Sequence, residues 1–207
     1  MQDLTADLEG ARRRVGAAEV PAGHGHLVEL RRVYDARVED VWAACTEPER
    51  VSRWFVPVSG DLRLGGHYQI QGNASGEITE CRPPHRLALT WVFGDDVSLL
   101  AVDLTPLGDG KSELRLGHAV TDNEHWAQYG PGATGVGWDL TLLGLGTYLQ
   151  TGQPLGDPET VQSDPAVLAF VRQSALEWGA AHRAAGASAT TADEAAARTS
   201  AAYAPGP

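Results

Sequence analysis

The sequence has little positive charge, and almost none of it is lysine. Lys111 is the single lysine beside fifteen arginines, and the 207 residues carry a formal net charge of −11. Nucleic acids and anionic membrane surfaces are bound by clustered basic side chains, so this balance makes both of them poor partners. We expect an acidic, well-solvated surface, and neither nucleic acid nor membrane among the partners. Arginine in place of lysine, with abundant alanine and glycine, is typical of a high-GC bacterial genome.

Cysteines and long apolar runs are also scarce. Cys45 and Cys81 have no second cysteine or histidine at the spacing of metal ligands, so we expect reduced thiols in a core. No apolar run reaches the roughly 18 residues that a membrane span needs. The N-terminal sequence also lacks the apolar segment of a secretory signal. These absences predict a soluble cytoplasmic protein.

The signature motifs of common enzymes and cofactor sites are missing. The chain has no Gly-x-Ser-x-Gly elbow, no phosphate-binding glycine loop and no His-Glu-x-x-His helix. His24-Gly25-His26 offers only two metal ligands, which rarely make a site. The carboxylates on predicted strands, Glu77, Glu80 and Asp103, fit the solvated side of a sheet better than a general acid or base. We expect no cofactor, no metal and no catalytic residue that the sequence identifies.

The most apolar stretch is 135–149, with the sequence GVGWDLTLLGLGTYL. Apolar residues recur in it with the period of a helix: Trp138, Leu142, Leu145 and Leu149. Further leucines make the other faces apolar, which predicts a long buried helix. Gly144 and Gly146 should each cost about 1 kcal/mol relative to alanine. Their presence indicates that a strand or a bound molecule approaches the helix backbone closely.

Residues 60 to 120 have the pattern of successive hairpins. Pairs of turn residues separate short alternating segments, and short connections require antiparallel pairing. Including a first strand near residue 27, the pattern predicts about seven strands: Leu27–Tyr34, Leu62–Leu64, His67–Gln71, 76–81, 86–93, 97–105 and 112–120. One face of this sheet is apolar and needs a cover, which the helix at 135–149 can supply.

Short helices are predicted on both sides of the sheet segments. Val38–Cys45 has helical spacing, and a capping box at Thr46 begins a second helix that ends near Phe55. Residues 122–132 are expected to form a polar loop. A Pro/Gly linker at 152–158 is followed by two more helices, predicted at 164–183 after an Asp164 cap and at 191–203 after a Thr191 capping box. This tail could fold back or meet a second subunit, and the sequence leaves both open.

Four segments in order resemble a known superfamily: ARVEDVWAACTEPERVSRWFVP (36–57), GDLRLGGHYQIQG (60–72), GEITECRPPHRLALTW (76–91) and GWDLTLLGLGTYL (137–149). Together they resemble the START-like, or SRPBCC, superfamily, in the branch of the activators of heat-shock-protein-ninety ATPase. The resemblance implies an α+β helix-grip fold, in which a curved antiparallel sheet wraps a long C-terminal helix around a cavity. We therefore expect an N-terminal arm (1–25), a START-like domain (26–150) and a linker with a helical C-terminal extension (151–207).

The candidate ligand-binding residues lie where the pattern places the gap between sheet and helix: Trp54, Phe55, Tyr68, Trp91, His118, Trp126, Trp138 and Leu142. Aromatic side chains with a few polar groups suit an apolar ligand pocket. For Trp91 and Trp138 the alternative is simple core filling. For His118 the alternative is a core histidine with satisfied hydrogen bonds.

The expected function is the binding of a small hydrophobic or amphipathic ligand without catalysis. One alternative is a co-chaperone-like ATPase activator or protein-interaction module, with a protein partner or a homodimer formed through the C-terminal extension. Another is a cyclase or hydrolase with His118 and a tyrosine as its acid–base pair. Members of the superfamily include all of these classes, so the resemblance determines the fold more closely than the function.

Overall fold

The computed structural model describes residue 4 and residues 6–61, 63–157 and 160–205. Its eight strands form one curved, unclosed antiparallel sheet: β1 Arg12–Val20, β2 Gly23–Tyr34, β3 Val58–Gly60, β4 His67–Ile70, β5 Ser75–Arg82, β6 Arg86–Phe93, β7 Asp96–Gly108 and β8 Lys111–Thr121. Their order across the sheet is β1-β2-β8-β7-β6-β5-β4-β3. The α+β class is confirmed.

The helices lie between the strands and after them: α1 Ala6–Glu9, α2 Val38–Thr46, α3 Pro48–Val51, α4 Glu124–Tyr129, α5 Gly132–Thr151, α6 Pro165–Ala184 and α7 Ala189–Tyr203. The inner faces of β2, β7 and β8 share one apolar core with α5. Alternation along each strand places the apolar residues of the sheet on this side. The helix-grip fold is thereby confirmed. Within the described ranges, no helix is long and apolar enough to cross a membrane.

The N-terminal segment supplies a strand that the sequence interpretation did not include. Residues 12–20 were expected in a peripheral arm, but β1 pairs with β2 along its whole length, and Val20 lies opposite Gly23. The sheet therefore has eight strands instead of about seven. The alternation of apolar and polar residues that marks a strand is not visible here, because Arg13, which points towards the core, is charged.

The prediction of a strand at Leu62–Leu64 is wrong for the two residues of it that the structure describes. Leu62 lies outside the described residues, and Leu64 is in a turn. The strand that pairs with β4 is instead β3, at Val58–Gly60. Gly65 and Gly66 do not close a two-residue hairpin, because their backbone groups pair with Ile78 of β5 at 2.8 and 2.9 Å.

Two predicted capping boxes are also wrong. The Thr46 hydroxyl donates to the Trp42 carbonyl inside α2 at 2.8 Å, so it does not cap α3, which is only four residues long. The last helix begins at Ala189, where Ser188 Oγ accepts a hydrogen bond from the Thr191 backbone N–H. Local side-chain hydrogen bonds of this kind compete with capping by the neighbouring residue.

Asparagine and aspartate do cap two of the later helices. The Asp164 carboxylate accepts from the Ala166 N–H at 2.7 Å, as the sequence predicts. Residues 122–132 were expected as a loop, but Asn123 Oδ1 accepts from the Trp126 N–H at 3.0 Å and starts α4. Asparagine is among the strongest N-cap residues, which explains this short helix.

The C-terminal extension folds back on its own domain. α6 packs against α5 and β1, and α7 packs against α6, α5 and α4. Phe170 and Trp178 of α6 are fully buried. A Cβ on Gly135 of α5 would lie 2.2 Å from the Trp178 ring, so only glycine allows this approach. The tail therefore folds back on its own chain, and contact with a second subunit stays a prediction.

A buried carboxylate joins the N-terminal strand, the central helix and the extension. Asp139 of α5 is 2% exposed. Arg13 of β1 donates to both of its oxygens, at 2.9 and 3.0 Å. Ser174 and Trp178 of α6 donate to Oδ2, at 2.6 and 2.9 Å. Four hydrogen bonds to one carboxyl group offset the cost of burying it.

Candidate functional site

An apolar cavity of about 290 Å³ lies between the inner face of the sheet, α2, α3 and α5. Six of the eight residues proposed from the sequence line it: Trp54, Phe55, Tyr68, Trp91, Trp138 and Leu142. Among the described residues, no charged side chain faces this space. The cavity is a surface for apolar contact, close in size to the smaller ligand pockets of proteins.

The polar groups around the cavity are engaged with the protein itself. The hydroxyl of Tyr68, one of the candidate ligand-binding residues, donates to the Thr90 carbonyl at 2.7 Å. The Trp54 indole N–H donates to the Ala44 carbonyl at 3.0 Å. The Thr141 hydroxyl donates to the Gly137 carbonyl at 2.8 Å. A molecule in the cavity therefore meets mostly carbon and sulfur.

Burial keeps two titratable groups of the cavity, Cys45 and Tyr68, neutral. It raises the pKa of the Cys45 thiol to about 12, although the charge of Arg50 opposes the shift. It also raises the pKa of Tyr68 above its usual value. Thiol and phenol both remain protonated near neutral pH, which makes them poor nucleophiles and poor bases.

A second space adjoins the cavity. It is a cleft of about 590 Å³, and His118 and Trp126, the other two proposed residues, line it. Four residues line both spaces: Phe55, Trp91, Trp138 and Thr141. Exposed rings stand at the rim of the cleft, with Phe93 61% and Tyr203 43% exposed. The proposed residues thus come together around two neighbouring spaces of different character.

His118 is buried and has a partner on each ring nitrogen. The Trp138 indole N–H lies 3.0 Å from Nδ1. Because an indole N–H can only donate, Nδ1 is an acceptor and the proton of the neutral ring is on Nε2. That Nε2–H faces Ser98 Oγ at 2.9 Å, and Ser98 Oγ donates to the Trp91 carbonyl at 3.1 Å. Burial lowers the pKa of His118 to about 4, so the ring is neutral near pH 7.

Aromatic contacts hold the wall between the two spaces. The rings of Trp91, Trp138 and His118 meet edge to face, with centroids 5.4 to 5.8 Å apart. Such pairs prefer this geometry because the edge of one ring is positive and the face of the other is negative. Trp126 is separate from this group, and its ring stacks on His26 at 3.8 Å.

Several cavity residues were not among the sequence candidates: Trp42, Cys45, Ile70, Ile78 and Cys81. The alternation of Ile70 with Tyr68 on β4 was a usable signal for one of them. Both cysteines are free thiols. Within the described residues, no group of three or more His, Cys, Asp and Glu side chains is placed to hold a metal ion.

The curved sheet, the gripped helix and the apolar cavity between them define a START-like helix-grip protein. The model of the family described as Activator of Hsp90 ATPase homolog 1-like protein matches residues 35–150, and the chain belongs to this family. The resemblance found in the sequence is therefore confirmed. No curated protein matches the chain.

Solved structures extend the likeness beyond the family segment. The chain is similar to CalU16 from Micromonospora echinospora, with 34% identity over 84% of this chain and 98% of that one and a TM-score of 0.70 in the crystal structure. The solution structure of CalU16 matches with 35% identity over 85% of this chain and 97% of that one, and with a TM-score of 0.71. EF2215 from Enterococcus faecalis, titled a conserved protein of unknown function, shares the fold at 14% identity over 86% of this chain and 95% of that one, with a TM-score of 0.61. The CalU16 match covers more of the chain than residues 35–150, so it includes part of the terminal segments.

Proposed function

We propose that this protein binds a small hydrophobic or amphipathic molecule in the cavity without changing it chemically. The observation that carries the proposal is the cavity of about 290 Å³, which no charged side chain of the described residues lines. An apolar ligand that leaves water for such a space gains about 25 cal/mol per Å² of buried surface. Membership of a ligand-binding domain family supports the same proposal.

The chemistry of the lining favours binding over turnover. General acid–base catalysis needs a group whose pKa lies near the working pH and that can reach the reacting atoms. Burial takes Cys45 far from that range, and the Tyr68 hydroxyl is bonded to a backbone carbonyl. His118, the base of the cyclase or hydrolase alternative, has partners on both nitrogens. That alternative stays a prediction, which loss of turnover in His118→Ala would support.

The protein-interaction alternative also stays a prediction. α6 and α7 place apolar residues such as Phe170 and Ala195 inside their own chain, where a partner does not reach them. Exposed Leu176 is the large apolar residue that α6 leaves on the surface. A pull-down with the wild type and with Leu176→Glu, which changes the exposed face of α6 without removing a core residue, would test for a partner at the extension.

The binding proposal can be tested by filling the cavity. The probe is N-phenyl-1-naphthylamine, an uncharged dye whose fluorescence rises in apolar surroundings. Leu100 of β7 is buried and lines the cavity. Leu99 is the preceding residue, and its side chain points to the opposite face of the sheet. We expect saturable binding to the wild type, strong loss of binding in Leu100→Trp, and little change in Leu99→Trp.

Folding of each variant is checked by circular dichroism and thermal melting before the titration. If Leu100→Trp is overpacked and unfolds, Leu100→Phe fills less of the same space and should weaken binding by a smaller factor. Absence of saturable binding by the wild type would contradict the proposal. Equal binding by the Leu99 and Leu100 variants would place the dye outside the cavity and contradict it as well.

A further inference from the structure

We propose that the ligand is an amphipathic amine, with its apolar part in the cavity and its ammonium group in the adjoining cleft. This inference rests on the proposed function and adds the chemical class of the ligand. It starts from the residues that the two spaces share: Phe55, Trp91, Trp138 and Thr141. A molecule that fills the cavity and extends past these side chains enters the cleft.

The cleft is rich in aromatic faces and has no lysine or arginine among its described lining residues. Six aromatic residues besides its histidines line it: Phe55, Trp91, Phe93, Trp126, Trp138 and Tyr203. Asp96 is the one carboxylate in the described lining. Aromatic faces carry negative potential and attract cations, with tryptophan the strongest of them. The lining therefore suits a positive group and gives a carboxylate ligand no lysine or arginine to pair with.

The position of Asp96 is fixed by its neighbours. It opens β7 directly opposite Phe93 of β6, so the two side chains lie on the same side of the sheet. Asn123, which also lines the cleft, donates from Nδ2 to Asp96 Oδ2 at 3.1 Å. A carboxylate held beside an aromatic ring provides the two elements that recognise an alkylammonium group.

The test uses three molecules with one apolar part and different head groups: decylamine, decanol and decanoate. Each is titrated against wild-type protein with bound N-phenyl-1-naphthylamine near pH 7, and displacement of the dye is measured. Decylamine should displace the dye at about tenfold lower concentration than decanol, and decanoate should be the weakest. Asp96→Asn should weaken decylamine by about threefold or more and leave decanol unchanged.

The matched control is Asp95→Asn. Asp95 is the preceding residue, is exposed, and is not in the cleft lining, so its substitution makes the same change in net charge. It should leave the preference for the amine intact. Equal displacement by all three molecules, or equal effects of Asp95→Asn and Asp96→Asn, would overturn the inference while the binding proposal stands. If the dye itself does not bind, the binding proposal fails, and the inference fails with it.

Discussion

Acidification should lower the free energy of unfolding, because the buried His118 ring resists protonation in the folded protein. Burial lowers the pKa of the ring from 6.5 to about 4. Between these two pH values the unfolded chain binds a proton that the folded protein does not, so folding becomes less favourable as the pH falls. At 1.36 kcal/mol for each pKa unit, the loss is about 3 kcal/mol. The stability that the neutral His118 ring contributes is fully present above pH 6.5 and is lost near pH 4.

The direction of this effect follows from the hydrogen bonds of the ring. Nδ1 accepts from the Trp138 indole, which has no lone pair to offer in return. Protonation would place two N–H groups against each other and leave a charge in a buried position. Both consequences favour the unfolded chain, in which the imidazolium is hydrated.

The measurement is urea unfolding of the wild type and His118→Gln at several pH values from 7 to 4.5. Other titrating groups are common to both proteins, so the difference between their free energies of unfolding isolates His118. The free energy of unfolding of the wild type, minus that of His118→Gln, should decrease between pH 7 and pH 4.5 by most of the loss of about 3 kcal/mol. His67→Gln serves as control, because it removes an exposed histidine of β4 in place of a buried one. A constant difference between the wild type and His118→Gln, or an NMR titration of His118 near pH 6.5, would refute the reasoning.

Two further predictions concern the central helix. Gly135→Ala should lower the free energy of unfolding by about 1–3 kcal/mol, because its Cβ would lie 2.2 Å from the Trp178 ring. Gly137→Ala, which meets no atom within 4 Å, should raise it by about 0.5–1 kcal/mol, and equal effects in urea unfolding would contradict this account. Asp139→Ala leaves the Arg13 guanidinium buried without its carboxylate and should cost about 3–5 kcal/mol. The double variant Arg13→Leu/Asp139→Leu should lose less than Asp139→Ala in the same assay, and a larger loss would count against the ion pair as the cause.

The parts of the fold that the sequence predicts well are those with a dominant period. The apolar period around Leu142 predicts α5 to within three residues at either end. Hairpin spacing predicts β6 at residues 86–93, the same bounds as in the structure. β1 was missed because its inward-facing Arg13 finds its partner 126 residues away, and no local pattern announces such a pairing.

The candidate site also has one part that the sequence pattern predicts and one part that it does not. Residues of the cavity follow from alternation on the strands and the stripe on α5, so Trp91, Trp138 and Leu142 could be proposed from the pattern alone. The cleft combines Asp96 of β7, Asn123 before α4 and Tyr203 of α7. Pairing of β7 with β8 brings Asp96 close to Asn123, and the folding back of the C-terminal extension adds Tyr203, which no local pattern relates to them.

The glycines of α5 explain how the apolar cavity persists beside an apolar helix. An empty apolar space loses packing contacts, so the helix would gain by closing onto the sheet unless other contacts hold it in place. Gly135 admits the Trp178 ring on the side of the extension, and a Cβ on Gly146 would lie 3.2 Å from the Tyr34 ring of β2. The Tyr34 hydroxyl also donates to the Leu142 carbonyl at 2.9 Å. The close approach predicted at Gly146 is therefore made by the protein itself, whereas a Cβ on Gly144 would be in ordinary contact, 3.7 Å from the Trp54 carbonyl oxygen. The contacts of Gly135, Gly146 and Tyr34 position the inner stripe of α5 over the cavity.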